Sequence, residues 1–222
     1  MKRIFDIAVS SLGLLTMGPV LILLAILIKM EDGGPVFYRG ERVGRHGTEF
    51  RIFKFRTMVV HADRLGGPSA SDNDPRITRI GRTLRRYKLD ELPQLINVLK
   101  GEMSLVGPRP EVRHYTDQFT EEEQAILSVR PGITDWASIW NADEGALLAG
   151  TENPEQVYAM QIRPTKLRLQ MKYVRERSFL TDVKILFLTA LAVVRPGSRA
   201  IEDLRRELPA TAGGDMKHGV RR

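Results

Sequence analysis

The sequence predicts a mainly α-helical protein with a small β-hairpin, mounted on an N-terminal membrane segment of helix-break-helix form that re-enters the face it left. Three observations lead there. Ile7 to Ile28 carries no charged side chain, Gly18-Pro19 interrupts that run near its middle, and downstream the apolar residues mostly recur at helical spacing.

The N-terminal run comes first. A straight helix crosses a hydrocarbon core of roughly 30 Å with about 20 apolar residues, so length alone permits a span. Proline removes a backbone donor and crowds the preceding turn, and the glycine beside it adds freedom, which predicts a sharp bend at Gly18-Pro19. Each arm is then roughly 15 to 22 Å long at 1.5 Å per residue, too short to cross. Lys2 and Arg3 precede the run and Lys29, Arg39, Arg42 and Arg45 follow it, so the positive-inside tendency draws both ends to the cytoplasm. A re-entrant hairpin satisfies both pulls; a proline-kinked spanning helix is the alternative. A cleaved signal peptide fits less well, because Lys29-Met30-Glu31-Asp32 offers no small-x-small site.

The division expected is an anchor over 1–30, a cytoplasmic-face domain over 31–195 and a flexible tail over 196–222. The body is long enough for one ordinary domain. A formal net charge of +7 points to an anionic partner, which charge alone leaves as lipid headgroups, a nucleotide or nucleic acid. The absence of cysteine excludes disulfides and thiolate metal sites.

Val36–Arg39 and Phe50–Arg56 are aromatic and β-branched runs separated by Gly40, Gly44 and Gly47, which predicts a hairpin close behind the anchor. Residues 62–75, with Gly66-Gly67-Pro68 and three aspartates, read as a mobile loop. Ile77, Ile80, Leu84 and Tyr87 then share one helical face, with Arg76, Arg79, Arg82 and Arg86 on another, giving a basic amphipathic helix suited to a solvated surface or to anionic headgroups. Leu89-Asp90-Glu91-Leu92-Pro93 reads as a helix start with Asp90 as N-cap, and Gly101 as its stop. Arg109 stands between Pro108 and Pro110, so its guanidinium projects from a stiff loop. Thr120 and Glu123 form a capping box. Residues 142–156 read as loop, helical spacing resumes from about Lys166 to Arg175, and Phe179–Val194 is an apolar helix that is either interfacial or packed in the core.

Adjacent carboxylates at a helix start are usually explained by capping and the helix dipole. Here the helix terminus offers amide donors to a phosphate, arginines stand upstream at Arg85 and Arg86, and another is held by two prolines at Arg109. Phosphoryl transfer needs such parts: a carboxylate nucleophile, and cations or magnesium to neutralise phosphate oxygens.

The run from Lys88 to Pro110, KLDELPQLINVLKGEMSLVGPRP, closely resembles the bacterial sugar transferase family, the small monotopic polyprenyl-phosphate phosphoglycosyl transferases. Supporting matches are Lys2-Arg3-Ile4-Phe5-Asp6, Phe53-Lys54-Phe55-Arg56-Thr57-Met58, Val129-Arg130-Pro131-Gly132-Ile133-Thr134, Tyr173-Val174 and Ser178 to Val194. The resemblance implies transfer of a sugar phosphate from a UDP-sugar to undecaprenyl phosphate with release of UMP, at the cytoplasmic face of the inner membrane, as the first membrane step of a polysaccharide or glycoconjugate pathway. It implies that Asp90 attacks the β-phosphorus and carries a covalent phosphosugar, and that Glu91 completes a dyad holding Mg2+ as metal ligand or proton acceptor. It also implies that Arg85, Arg109, Lys54, Arg56 and Arg130 face substrate phosphates. The partners so implied are the UDP-sugar, the lipid phosphate and membrane lipid, with no nucleic acid, and a homo-oligomer is left open.

Two departures stand out. Gly18-Pro19 replaces the Ser-Pro frequent at the family's membrane bend. The family's Gly-Trp-Ala-Gln-Val-Asn-Gly-Arg is here Asp135-Trp136-Ala137-Ser138-Ile139-Trp140-Asn141-Ala142, without the final arginine. Arg163 or Lys166 are candidates for the missing cation, and Trp136 and Trp140 for base stacking or core packing. Outside this class, the alternatives are a membrane-tethered basic module that binds lipid or nucleic acid without catalysis, and a phosphatase that hands the phosphoryl group to water.

Overall fold

The computed structural model describes residues 1–65, 73–142, 148, 151, 153–195 and 197–212. The Gly66-Gly67-Pro68 segment and most of the loop expected after residue 142 lie outside them. Lys2–Asp32 forms one helix, α1, 31 residues long and about 46 Å if straight. The break expected at Gly18-Pro19 is therefore corrected, since Pro19 lies inside the helix. Proline removes only one rung of the backbone ladder, and the helical turns on both sides propagate through it. Gly33 closes the helix in the left-handed conformation, donating to Lys29 O.

Both ends of α1 are tied to the body. At the start, Lys2 Nζ reaches Val106 O at 3.0 Å and Asp182 at 2.6 Å, Arg3 donates to Val98 O and Leu99 O, and Asp6 accepts from Ser104 Oγ. At the other end the Asp32 carboxylate takes both guanidinium nitrogens of Arg56, and Ile28 packs with Phe55 and Leu84. Between these ends, a Cβ at Gly18 would meet nothing within 4 Å.

The expected hairpin forms. β1 (Phe37–Tyr38) pairs with β4 (Lys54–Phe55), and β2 (Glu41–Val43) with β3 (Glu49–Arg51), all antiparallel. α2 (Arg79–Arg86) is capped by Thr78 and turns Leu84 inward, leaving Arg79, Arg82 and Arg86 exposed. α3 (Gln94–Lys100) ends at Gly101, whose φ of 85° is the left-handed stop expected there.

Two strands escape the sequence reading. β5 (Ser104–Val106) and β6 (Gly132–Thr134) are parallel, in register Ser104↔Gly132 and Val106↔Thr134. At three residues each they lack a readable alternation, and their backbones approach so closely that a Cβ on Gly132 would overlap Gly107 N. They hold the core of the body with α5 (Trp136–Trp140), α7 (Arg163–Glu176) and α8 (Phe179–Val194). Two short helices complete the middle of the chain, α4 (Arg113–Thr116) and α6 (Pro154–Val157). The Thr120–Glu123 capping box is present, though the helix it opens, Glu123–Ser128, is 3-10.

α8 is core-packed along one face and exposes apolar side chains on the other. Ile185 is fully buried, whereas Leu180, Phe187 and Val194 are exposed, and Phe179 meets Phe5 of α1 edge to face at 5.3 Å. The tail differs from expectation. Arg199–Ala212 forms α9, which buries Ile201 and Leu208, packs against α5, α7 and α8, and donates from Arg205 Nε to Ile139 O. Leu204 and Leu208 supply the apolar spacing that the charged composition hid.

Candidate active site

The chain reaches the two carboxylates through a strained corner. Lys88 adopts a left-handed φ of 55°, costly for a residue with a Cβ, and turns the end of α2 into a 3-10 turn over Leu89–Glu91. Asp90 is therefore not the N-cap of α3; it lies inside that turn, one turn before Gln94, and its side chain is free for other work. Asp90 is buried, 2% exposed.

Lys54 and Arg109 are brought to these carboxylates by different segments. Asn97 accepts from Phe53 N at 2.7 Å and donates to Arg51 O and Glu102, which fixes the β3–β4 segment just ahead of Lys54. Lys54 Nζ then lies 2.9 Å from Asp90 Oδ2 and 3.3 Å from Glu91 Oε1. Arg109 is positioned by more than its prolines. Its amide donates to Asp135, its carbonyl accepts from Gln170, and its guanidinium takes both Glu91 oxygens, at 2.8 and 2.5 Å. Asp135, fully buried, also caps α5 through Ser138 N.

Burial by itself would raise the Glu91 carboxyl pKa. The Arg109 and Lys54 charges, the Arg109 hydrogen bonds and the more distant Lys88 outweigh it, holding Glu91 well below the carboxylate range and ionised at neutral pH. Asp90, by contrast, has no hydrogen bond from an arginine among the described residues and is held by its ion pair with Lys54.

The structure thus brings together Asp90, Glu91, Lys54 and Arg109. Among the described residues, none of the other expected cations forms an ion pair or hydrogen bond with the dyad. Arg56 is buried on Asp32, Pro35 O and Met58 O, and so locks the end of α1. Arg130 donates to Gly101 O at the end of α3. Arg85, in the last turn of α2, contributes to the field that lowers the Asp74 carboxyl, behind the hydrogen bonds from Arg76. Neither candidate for the missing cation is at the dyad. Arg163 donates to Tyr115 O, and Lys166 pairs with Glu111 at 2.5 Å and donates to Tyr158. Trp136 is buried and Trp140 packs partly buried beside it, so core packing accounts for both. Sequence reasoning missed Asp135, Asn97 and Gln170 as supports; the sign of Asn97 and Gln170 was a polar residue among apolar helical neighbours, and that of Asp135 an N-cap residue type just ahead of a short helix.

Among the described residues no cluster of three or more His, Asp or Glu side chains is poised for a metal. Asp90 and Glu91 nonetheless supply hard oxygen donors of the kind Mg2+ takes, one or two carboxylates with substrate phosphates completing the shell.

Fold and site together define a small, mostly helical protein with an apolar N-terminal helix and a carboxylate pair enclosed by cations. The chain belongs to the bacterial sugar transferase family, whose model matches residues 1–196. It is 39% identical over 194 residues to the UDP-glucose:undecaprenyl-phosphate glucose-1-phosphate transferase of Escherichia coli, an alignment covering 85% of this chain and 39% of that one. It is 36% identical over 198 residues to the UDP-N-acetylgalactosamine-undecaprenyl-phosphate N-acetylgalactosaminephosphotransferase of Aeromonas hydrophila, covering 87% and 43%. Against the exopolysaccharide production protein ExoY of Sinorhizobium fredii it is 35% identical over 207 residues, covering 86% and 84%. The chain thus spans less than half of the first two relatives and most of the third.

Proposed function

We propose that this chain transfers a sugar phosphate from a UDP-sugar to undecaprenyl phosphate at the cytoplasmic face of the inner membrane and releases UMP, in a polysaccharide or glycoconjugate pathway. The observation that carries the reading is the unequal use of two adjacent carboxylates. Glu91 has both oxygens hydrogen-bonded by Arg109, whereas among the described residues Asp90 is held by its ion pair with Lys54, 2.9 Å from Oδ2. Asp90 is then the nucleophile. Its oxygen bonds the β-phosphorus as the bond from that phosphorus to the UMP oxygen breaks, and UMP leaves with the electron pair. An oxygen of the lipid phosphate next attacks the same phosphorus, and the Asp90 carboxylate departs, restoring the enzyme. Lys54 and Arg109, already beside the two carboxylates, are the cations that would meet the negative charge gathering on the phosphoryl oxygens. Asp90 and Glu91 would hold Mg2+, which when bound neutralises charge on the substrate's phosphates.

A monotopic arrangement is supported by the two ends of α1. A helix that spans has its ends on opposite sides of the bilayer, whereas Lys2 and Asp32 are both bound to the same body. The exposed apolar side chains of α1 and α8, joined at Phe5 and Phe179, form the kind of surface that lipid covers.

The test is UMP release by the purified, detergent-solubilised chain across a panel of UDP-sugars, with and without undecaprenyl phosphate, and detection of lipid-linked sugar phosphate. Sugar phosphate passed to water instead would establish a phosphatase. No turnover with any donor, together with retained lipid binding, would establish the non-catalytic tether.

A further inference from the structure

Asp90, Gln94 and Asn97 follow one another at i, i+4 and i+7 along a helical stretch, the 3-10 turn leading into α3 through helical dihedrals at Leu92 and Pro93. They therefore share one face. All are buried, Gln94 to 1% exposure and Asn97 completely. Their polar atoms fare differently. Asn97 uses its oxygen on Phe53 N and its nitrogen on Arg51 O and Glu102, so its role is structural and its hydrogen bonds are met. Gln94 Nε2 has no partner among the described residues.

An unmet buried amide donor is costly, and a buried polar group that only filled space would be better replaced by an apolar one. This donor lies between a satisfied neighbour and the carboxylate assigned as nucleophile, about one helical turn or 5.4 Å along the axis from Asp90. An anion arriving at Asp90 supplies the missing acceptor, and it favours the carboxamide orientation that turns the NH2 towards it. We propose that Gln94 is a further catalytic residue, donating its side-chain N–H to an oxygen of the phosphoryl group in transit on Asp90. The proposal rests on the transferase reading above. Unlike Lys54 and Arg109, this donor is neutral and among the described residues pairs with nothing beforehand, so it gains its hydrogen bond when the phosphoryl group arrives. Such an interaction strengthens from ground state to transition state and acts on turnover more than on binding.

The substitution Gln94→Met removes the donor at similar volume. If Gln94 serves the phosphoryl group, the thermal midpoint of the full chain stays equal or rises, because an unmet polar group is gone. At the same time kcat falls by about 10²-fold, with KM for the UDP-sugar little changed, and formation of the phosphosugar adduct on Asp90 in the absence of lipid slows in proportion. Gln94→Glu, which preserves shape but brings a second anion against the phosphoryl group, should not restore the rate. Two results would overturn the proposal: wild-type adduct formation in Gln94→Met, or a midpoint and an activity that fall together, which marks a packing role. If the wild-type chain itself forms neither adduct nor UMP, the transferase reading fails first. A wild-type chain that forms adduct as fast as its Gln94→Met variant removes the Gln94 role alone.

Discussion

Replacing Arg109 by lysine keeps the charge and removes the geometry. The guanidinium holds Glu91 by two parallel bonds, 2.8 Å to Oε2 and 2.5 Å to Oε1, and an ammonium, a point donor on a flexible stem, reproduces one of them at best. A hydrogen bond to a charged group is worth about 1.5–3 kcal/mol, which corresponds to about 10- to 150-fold in rate. One third of the Arg109 side chain is exposed, 33%, and solvent screens part of that value. The expected loss in kcat/KM for Arg109→Lys is therefore in the lower part of the range, about 10- to 30-fold. The backbone supports from Asp135 and Gln170 do not depend on the side chain, so the loop should keep its place. The assay is UMP release at several UDP-sugar concentrations, with a thermal melt run on the same preparation. Wild-type kcat/KM in Arg109→Lys would refute the reasoning, since a point charge would then serve as well as the fork. A large fall in melting temperature would show that Arg109 chiefly braces the fold.

Four further outcomes are expected. Asp90→Asn should carry no label after incubation with sugar-labelled UDP-sugar without lipid, whereas Glu91→Gln should still trap some; intact-protein mass spectrometry decides, and an adduct mapped to Glu91 would reverse the roles. Ionised Glu91 is held below its ordinary pKa of 4.5, so it contributes stability above about pH 4.5 that is lost as pH falls further; acid unfolding of Glu91→Gln should accordingly depend less on pH below about 4.5 than that of wild type. Leu208→Ala, at a buried position where α9 meets the core, should cost about 2–5 kcal/mol in a urea melt, and an unchanged midpoint would mean that α9 does not dock in solution. A cysteine placed ahead of Met1 and another at Tyr38, exposed on the hairpin, should both react with an impermeant maleimide from the cytoplasmic side only; labelling of either one from the periplasm would establish a spanning helix.

Local chemistry made much of this molecule readable in one dimension. The uncharged run at the N-terminus, the Thr120–Glu123 box, the Gly101 stop and the Phe179–Val194 helix each depend on residues a few positions apart, and each stands in the structure. The carboxylate pair and the proline-framed Arg109 were visible for the same reason, through residue type and spacing. What tertiary structure alone decided is which charges meet. Lys54 and Arg56 are two residues apart on one strand and its exit, yet one bridges Asp90 and Glu91 while the other is buried on Asp32. Successive residues of a strand alternate in direction, but those two belong to the same side of the alternation, so no local rule separates them; the difference is made by the approach of α1 on one side and of the Leu89–Glu91 turn on the other. The parallel β5–β6 pair and the docking of α9 share that character. Their stability comes from backbone and side-chain contacts between segments far apart in sequence; three-residue strands are too short to show a period, and the Ile201, Leu204 and Leu208 stripe of α9 does not say what it packs against.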